Sequence, residues 1–332
     1  MSKPWTKDTF ADAKEFRERC IAGHTARTTI TICVCSAGRA QLTETLQSLV
    51  AQDIDRRQLK LWLMVVDNTI EGSLKRLISA RPEFEDVIFV HEPKIGIPFA
   101  RNAAVKHSRL LNSDYIAFID DDEIAPPTWI ADLYAHAQTT GADVVHGGLI
   151  RAPSVADAVG LARTYERQDA RIRDRKTAAT NNTLFRASLV AGSRALSFDE
   201  QLDKAGGSDT EFFMRAHDAG AKIVRVTHPP VFEVWDETRA APAYLWKRSW
   251  RCGASANYRY RKNRSAGYAV AVLLGRAASR AVGGGAAFTK SAALAAFAPA
   301  RARTARDKGL SSLGFAAGCL SPYVAVRPTS YY

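Results

Sequence analysis

The sequence has few cysteines, and they follow no pairing pattern. The five cysteines among 332 residues are Cys20, Cys33, Cys35, Cys252 and Cys319. An odd, scattered set argues against a small disulfide-stapled secreted domain and favours a reducing compartment. The polar N-terminus also has no apolar segment of the kind that a signal peptide needs, so we expect a cytoplasmic location.

Two glycine-rich phosphate-binding motifs are absent as well. No G-x-G-x-x-G follows the first predicted strand, and G-x-x-x-x-G-K-[ST] occurs nowhere in the chain. These absences disfavour dinucleotide binding of the usual type and P-loop NTPase activity. The composition, with 46% hydrophobic and 24% charged residues, excludes wholesale disorder, collagen and coiled coil.

Acidic residues are almost missing from the C-terminal part of the chain. Residues 239–332 contain 16 Lys and Arg but a single acid, Asp307, whereas residues 1–238 contain 30 Lys and Arg and 33 acids. A tail this basic attracts polyanions, either nucleic acid or an anionic membrane face. From Ser265 onward, basic residues interrupt apolar runs that are shorter than the ~20 residues needed to span a bilayer. This pattern favours helices lying in the membrane interface, and the alternative is an Ala-rich helical subdomain with solvated arginines.

Apolar, β-branched runs alternate with helical patterns through residues 29–148. The five candidate buried strands are Thr29–Cys35, Leu61–Val66, Val87–Val90, Tyr115–Ile119 and Asp143–Gly148. Strands and helices that alternate at this spacing predict βαβ units and a parallel sheet. In such sheets ligands bind beyond the carboxyl ends of the strands, so the polar residues that follow the strands are candidate site residues.

Four consecutive acids, Asp120 to Glu123, follow the fourth predicted strand directly. Left alone, they would repel one another. A hard divalent cation such as Mg²⁺ or Mn²⁺ removes that cost, and it is often held by one or two carboxylates together with substrate phosphates. Alternation along an extended segment points Asp120 and Asp122 the same way. The alternative is a solvated acidic turn, which so hydrophobic a preceding strand makes less favourable.

Five segments, in the same order, resemble motifs of family 2 glycosyltransferases. The string FIDDDEIAPPTW at Phe118–Trp129 resembles the family's FIDDDE stretch, which ends in Pro and Trp. ICVCSAGR at Ile32–Arg39 resembles the motif ICVCTYRR of bacterial exopolysaccharide glycosyltransferases of the succinoglycan-assembly type. Val65–Asn68, Gly96–Asn102 and Phe198–Arg215 resemble the family's VVDN, G-ARN and FD-GGEDTDFFxR motifs. The resemblance covers residues 29–253.

The resemblance implies an α/β fold of the GT-A type, which is Rossmann-like, with a mainly parallel sheet and helices on both faces. Residues 29–253 would form this domain. Residues 1–28 would be a charged N-terminal extension. Residues 254–332 would be a basic, amphipathic, Ala-rich helical region at the membrane surface.

The resemblance also implies roles for individual residues. Asp122 would hold the Mn²⁺ or Mg²⁺ ion, and Asp209 would be the general base that acts on the acceptor hydroxyl. The residues implied in binding the nucleotide-sugar are Ser36, Arg39, Asp67, Arg101, Asp120 and Asp121. Further candidates for contact with the acceptor or a diphosphate are Asn182, Arg248 and Arg251.

Two positions depart from the family pattern. Ser208 stands where the family usually has Glu, which leaves Asp209 as the only matched base. Ala37 stands where an aromatic residue is common, so stacking near the nucleotide base is expected to be weaker.

The favoured hypothesis is an inverting, metal-dependent hexosyltransferase in bacterial polysaccharide synthesis. Its donor would be a UDP-sugar, with UDP-glucose as the default. Its acceptor would be a polyprenyl-diphosphate-linked saccharide, reached from the inner face of the cell membrane. A nucleotidyltransferase that makes sugar-nucleotides would need a phosphate loop after the first strand, which Ser36–Arg39 is not. A nucleic-acid-binding protein would leave the four acids unexplained, so no nucleic-acid partner is expected.

Overall fold

The computed structural model describes residues 27–192, 195–203, 206–234 and 237–321. Nearly all of the predicted N-terminal extension therefore lies outside the described residues. The chain forms two compact units, and most of the second follows residue 235, with residues 200–208 added to it. The boundary predicted at residue 253 falls inside a helix, Pro242–Asn263. The structure places the division earlier because this whole helix packs with the two that follow it.

Within the described residues, the first unit contains a nine-stranded sheet in the order β3-β2-β1-β4-β8-β6-β9-β5, with β7 paired to β9. The strands are β1 Thr28–Ser36, β2 Leu59–Asp67, β3 Ile88–His91, β4 Tyr115–Asp120, β5 Glu123–Ile124, β6 Val144–Ala152, β7 Ile172–Arg175, β8 Thr183–Arg186 and β9 Ile223–Val234. β1 to β4 pair in parallel, as do β6 and β9, whereas β5, β7 and β8 pair antiparallel. The expected mostly parallel α/β sheet is confirmed.

Helices cover both faces of this sheet. They are α1 Leu42–Val50, α2 Leu74–Ser79, α3 Ile97–Leu110, α4 Trp129–Thr140, α5 Val155–Arg163 and α6 Ser208–Asp218. Leu46 of α1 and Leu133 of α4 belong to the core on one face, and Ala104 of α3 and Phe212 of α6 belong to the core on the other. Because both faces of β1 and β4 are covered, these strands read as continuous apolar runs in the sequence.

The described part of the second unit contains three long helices, α7 Pro242–Asn263, α8 Ala266–Leu294 and α9 Pro299–Leu320. The arginines that interrupt the apolar runs of the sequence do not interrupt the helices. α7 and α9 approach closely where Gly253 and Gly318 meet, since a Cβ on Gly318 would lie 2.8 Å from the backbone nitrogen of Ala254 and would collide with the carbonyl of Trp250. Among the described residues, no helix is long and apolar enough to cross a membrane.

Candidate active site

Three strands of the sheet end at neighbouring positions and bring their polar residues together. The parallel register sets Ser36 of β1 beside Asp67 of β2, and it sets Cys35 beside Asp120 of β4. The carboxyl ends of parallel strands are where open α/β sheets bind ligands. The sequence-predicted residues of the first, second and fourth strands therefore lie at one edge of the sheet.

The turn after β1 holds the acids that follow β4. The Ser36 hydroxyl donates to Asp121 Oδ2 at 2.6 Å, and Arg39 Nε lies 3.2 Å from Asp121 Oδ1. Arg39 also forms an ion pair with Asp122 Oδ2 through its Nη1. Gly38 has a φ of 98°, a conformation that side chains other than glycine rarely adopt, and its N–H donates to Ser36 Oγ. The turn thus fixes Asp121 and Asp122, both of which are buried.

Negative charge accumulates around Asp120. Its side chain reaches solvent in the crevice, but the surrounding protein and the neighbouring Asp122, Asp121 and Asp209 carboxylates raise its pKa to about 7, against the opposing effect of Arg101. Burial likewise raises the pKa of Asp121, although the Ser36 hydroxyl and Arg39 oppose this shift. The structure therefore brings Asp209 and Arg101 into electrostatic range of the acids at the end of β4.

Glu123, the fourth acid of the run, has a different position from the other three. It is buried, it accepts a hydrogen bond from the Asp120 N–H at 3.0 Å, and it receives the Asn181 amide at 3.1 Å. Burial, followed by the charge of Asp120, raises its pKa well above the usual range. Glu123 and Asn181 brace the acidic turn from inside, a role that sequence reasoning missed because it depends on a contact 58 residues apart.

Asp67 uses its carboxylate to organise the loop after β2. Oδ1 accepts the N–H and the hydroxyl of Thr69 at 3.0 and 2.6 Å, and Oδ2 accepts the N–H of Leu74 at 2.8 Å. The neighbouring Asn68 accepts the Gly96 N–H and donates to the Glu92 and Lys94 carbonyls. Asp67, which is predicted to bind the nucleotide, is thus held in place at the sheet edge by the loop that follows it.

Asp209 lies in the first turn of α6, with its side chain half-buried. Oδ1 accepts the Thr210 N–H at 2.6 Å, which fixes the carboxylate at the helix start. Glu211, two residues later, is buried and forms a bidentate pair with Arg215 at 2.7 Å for both bonds. Of these two acids, Asp209 is the one that lies within electrostatic range of Asp120.

Asn182 has a structural position in place of the predicted contact with an acceptor. It is fully buried with a φ of 50°, and its amide donates to the carbonyls of Gly148 and Pro229 while its oxygen accepts the Trp129 indole N–H. An amide used in this way holds β6, β9 and α4 together. Arg248 and Arg251 lie on α7 in the second unit, and their contact with a diphosphate stays a prediction.

The chemistry of the acids fits a hard divalent cation. Among the described residues, no three His, Cys, Asp or Glu side chains are grouped as a closed metal site. An ion here would be held by one or two carboxylates and would complete its shell with substrate phosphates and water, as Mg²⁺ and Mn²⁺ commonly do. Burial raises the pKa of Asp120 most, the neighbouring carboxylates add to this shift, and a bound cation would oppose it.

Two solved structures share this architecture at low sequence identity. The mannosyltransferase PcManGT from Pyrobaculum calidifontis, in complex with GDP-Man and Mn²⁺, has a TM-score of 0.57 and 17% identity over 90% of this chain and 91% of its own. TarS 1–349 of S. aureus has a TM-score of 0.50 and 16% identity over 87% of this chain and 90% of its own. These likenesses confirm the predicted GT-A fold.

Sequence comparison identifies the family. The glycosyl transferase family 2 model matches residues 29–201. The succinoglycan biosynthesis protein ExoM of Rhizobium meliloti (strain 1021) is 36% identical over 232 residues, which cover 68% of this chain and 72% of ExoM. With the polar residues of three strand ends gathered at the edge of its sheet, this chain is a glycosyltransferase and belongs to glycosyl transferase family 2.

Proposed function

We propose that this enzyme inverts the anomeric centre as it moves a hexose from a UDP-sugar, with UDP-glucose as the default, to a lipid-linked saccharide in exopolysaccharide synthesis. The observation that carries the proposal is the meeting of the Asp120–Asp122 acids with Asp209 at one edge of the sheet. In this proposal the carboxylates of Asp120–Asp122 face the departing diphosphate, and the carboxylate of Asp209 faces the attacking hydroxyl. The similarity to ExoM supports the polysaccharide pathway.

The donor would lie along the carboxyl ends of β1, β2 and β4. Ser36, Arg39 and Asp67 surround the place for the nucleoside, and Arg101 supplies positive charge near the phosphates. Arg101 is held against the Phe198 ring, with its guanidinium carbon 5.7 Å from the ring centroid. Contact with an aromatic face fixes the plane of a guanidinium, and a planar guanidinium suits recognition of a diphosphate.

The acceptor hydroxyl would lose its proton to Asp209 as it attacks the anomeric carbon. Attack from the face opposite the diphosphate inverts that carbon, and the transition state has oxocarbenium character. A Mg²⁺ or Mn²⁺ ion held by Asp122 would supply positive charge against the departing nucleoside diphosphate. Asp120 and Asp121 would hold the sugar-nucleotide beside it.

Hydrolysis of UDP- and GDP-sugars, with and without Mn²⁺, tests this proposal. We expect release of UDP from a UDP-hexose at a rate that falls at least tenfold on addition of EDTA and returns with Mn²⁺. GDP-mannose belongs in the screen because PcManGT was crystallised with it. Faster hydrolysis of a GDP-sugar than of any UDP-sugar would contradict the UDP-sugar donor. Hydrolysis that EDTA does not slow would contradict the metal dependence.

The outer face of α8 supports a membrane-associated acceptor. Residues at helical spacing along it are all exposed and uncharged, namely Ala271, Leu274, Ala278, Val282, Gly285 and Thr289. The opposite stripe, which includes Leu273 and Ala277, is buried among the helices. The chain after residue 238 is strongly basic, with 16 Lys and Arg and Asp307 as its one acid. An apolar helix face with basic surroundings suits the surface of an anionic bilayer.

We expect the protein to pellet with vesicles of phosphatidylcholine and phosphatidylglycerol. High salt should weaken binding only in part, because screening acts on the basic residues and not on apolar burial. Replacing Leu274 and Val282, which are 55% and 74% exposed, by Glu should lower the bound fraction at least tenfold at high salt.

The matched control places Glu at Val50 and Leu77, two exposed apolar residues of the first unit. This variant should bind vesicles like the parent protein. A parent protein that stays in the supernatant at low salt would show that the second unit is not a membrane-binding element.

A further inference from the structure

Three neighbouring strands place basic side chains in one row across the sheet. In the register, His146 of β6 lies beside Arg225 of β9, and Arg225 lies opposite Arg173 of β7. Side chains at directly paired positions point to the same face, and neighbouring strands are about 4.8 Å apart. Arg175 extends the row along β7, on the same face as Arg173 because it is two residues further on.

This row, His146, Arg173, Arg175 and Arg225, lies on the face of the sheet that α6 covers. Ile223 lies two residues before Arg225 on β9, and Val144 lies two residues before His146 on β6, so each pair shares a face of the sheet. Ile223 and Val144 belong to the core that contains Phe212 of α6. Asp209 stands at the start of α6 and is within electrostatic range of His146. The row and the candidate base therefore lie on the same side of the sheet.

The three arginines of the row are exposed, and no carboxylate of the described residues pairs with them. None of them forms an ion pair with a residue of the described chain. Like charges directly opposite each other on paired strands destabilise a sheet, and Arg173 opposite Arg225 is such a pair. Charged residues also protect edge strands from pairing. On β7, however, the charges are separated by face, with Arg173 and Arg175 on one face and Asp174 on the other. The positive charge is confined to the face that Asp209 shares.

We propose that the row His146, Arg173, Arg175 and Arg225 binds the diphosphate of the acceptor and so orients the acceptor hydroxyl towards Asp209. This inference rests on the proposed function, because it names the charged group of its acceptor. Arginine forks match phosphate oxygens with paired hydrogen bonds, and several of them on adjacent strands suit a group with two phosphates. Burial, with help from Arg225, lowers the pKa of His146 to about 4, so at neutral pH its imidazole adds no charge and can accept or donate a hydrogen bond.

Inorganic pyrophosphate tests the site without any sugar transfer. The imidazole NMR signal of His146, assigned by its loss in His146→Gln, is followed at pH 7.5 in metal-free buffer with saturating UDP, which keeps the donor site filled. We expect a saturable shift, with affinity at least tenfold weaker in Arg173→Gln/Arg225→Gln. The control Arg57→Gln/Arg76→Gln removes the same charge at two exposed positions and should bind like the parent protein.

Geranyl diphosphate, inorganic phosphate and glucuronate separate the sources of the anion. Geranyl diphosphate should bind at least as tightly as pyrophosphate, and phosphate and glucuronate should bind more weakly. Tighter binding of glucuronate would overturn the diphosphate in favour of a carboxylated saccharide. No shift with pyrophosphate, or equal affinity in the Arg173/Arg225 variant, would overturn the site. Binding of UDP in the presence of Mn²⁺ tests the donor proposal separately, and the titration without UDP still tests this row.

Discussion

Replacement of Asp122 by Asn is expected to lower sugar transfer by about 10³-fold, because it removes the proposed carboxylate ligand and a negative charge from the proposed metal position. The fold should survive the change. The partner of Asp122 is Arg39, whose side chain is 47% exposed, so the guanidinium can be hydrated when its ion pair is lost. Initial rates across a Mn²⁺ titration measure the effect, and the variant should need much more Mn²⁺ or show no response to it.

Two further variants separate the metal from the ion pair. Arg39→Gln breaks the same pair but keeps the carboxylate, so its rate should still respond to Mn²⁺ as in the parent enzyme. Asp86→Asn changes an exposed acid and should leave transfer unchanged. Turnover of the Asp122 variant that stays near that of the parent enzyme, and stays sensitive to EDTA, would place the metal elsewhere.

Replacement of Asp209 by Asn should abolish measurable transfer while the donor still binds. A general base contributes about 10²–10⁴-fold through the transition state and little to ground-state affinity, so kcat should fall and the donor Kd should not. Asn keeps the oxygen that accepts the Thr210 N–H, so α6 should keep its first turn. Single-turnover rates and calorimetry with the donor measure the two quantities separately.

The control for Asp209 is Asp53→Asn, at an exposed acid in the loop after α1. It should transfer sugar at the parental rate and bind the donor normally. Loss of donor binding in a folded Asp209 variant would assign Asp209 to the nucleotide site, and Asp199 or Asp203 would then become the candidate base.

The strands at the centre of the sheet could be predicted because both of their faces are buried. Ile32 and Ile119 lie in unbroken apolar runs, and polar residues mark where those strands end. β9 could not be recognised in the same way, since Pro229 and Pro230 lie within it. β7 was missed because all four of its residues are exposed.

The gathering of acids at the edge of the sheet could be predicted because Asp120 to Asp122 directly follow one apolar strand. The role of Asn182 could not be predicted, because its amide is used by groups from three distant segments of the chain. The row that contains Arg173 and Arg225 needed the register of β7 against β9. The alternation of Arg171, Arg173 and Arg175 was its only trace in the sequence.

The contact between Gly253 and Gly318 limits how the second unit can evolve. Each glycine faces the backbone of the opposite helix, so even alanine at one position would need the helices to move apart. No compensating change of a neighbouring side chain can relieve a collision with a carbonyl or an amide nitrogen. Gly283, on the open side of α8, has nothing within 4 Å of its Cβ position and is free of this constraint. Conservation of Gly253 and Gly318 among related proteins would therefore reflect the close approach of two helix backbones and would carry no information about catalysis.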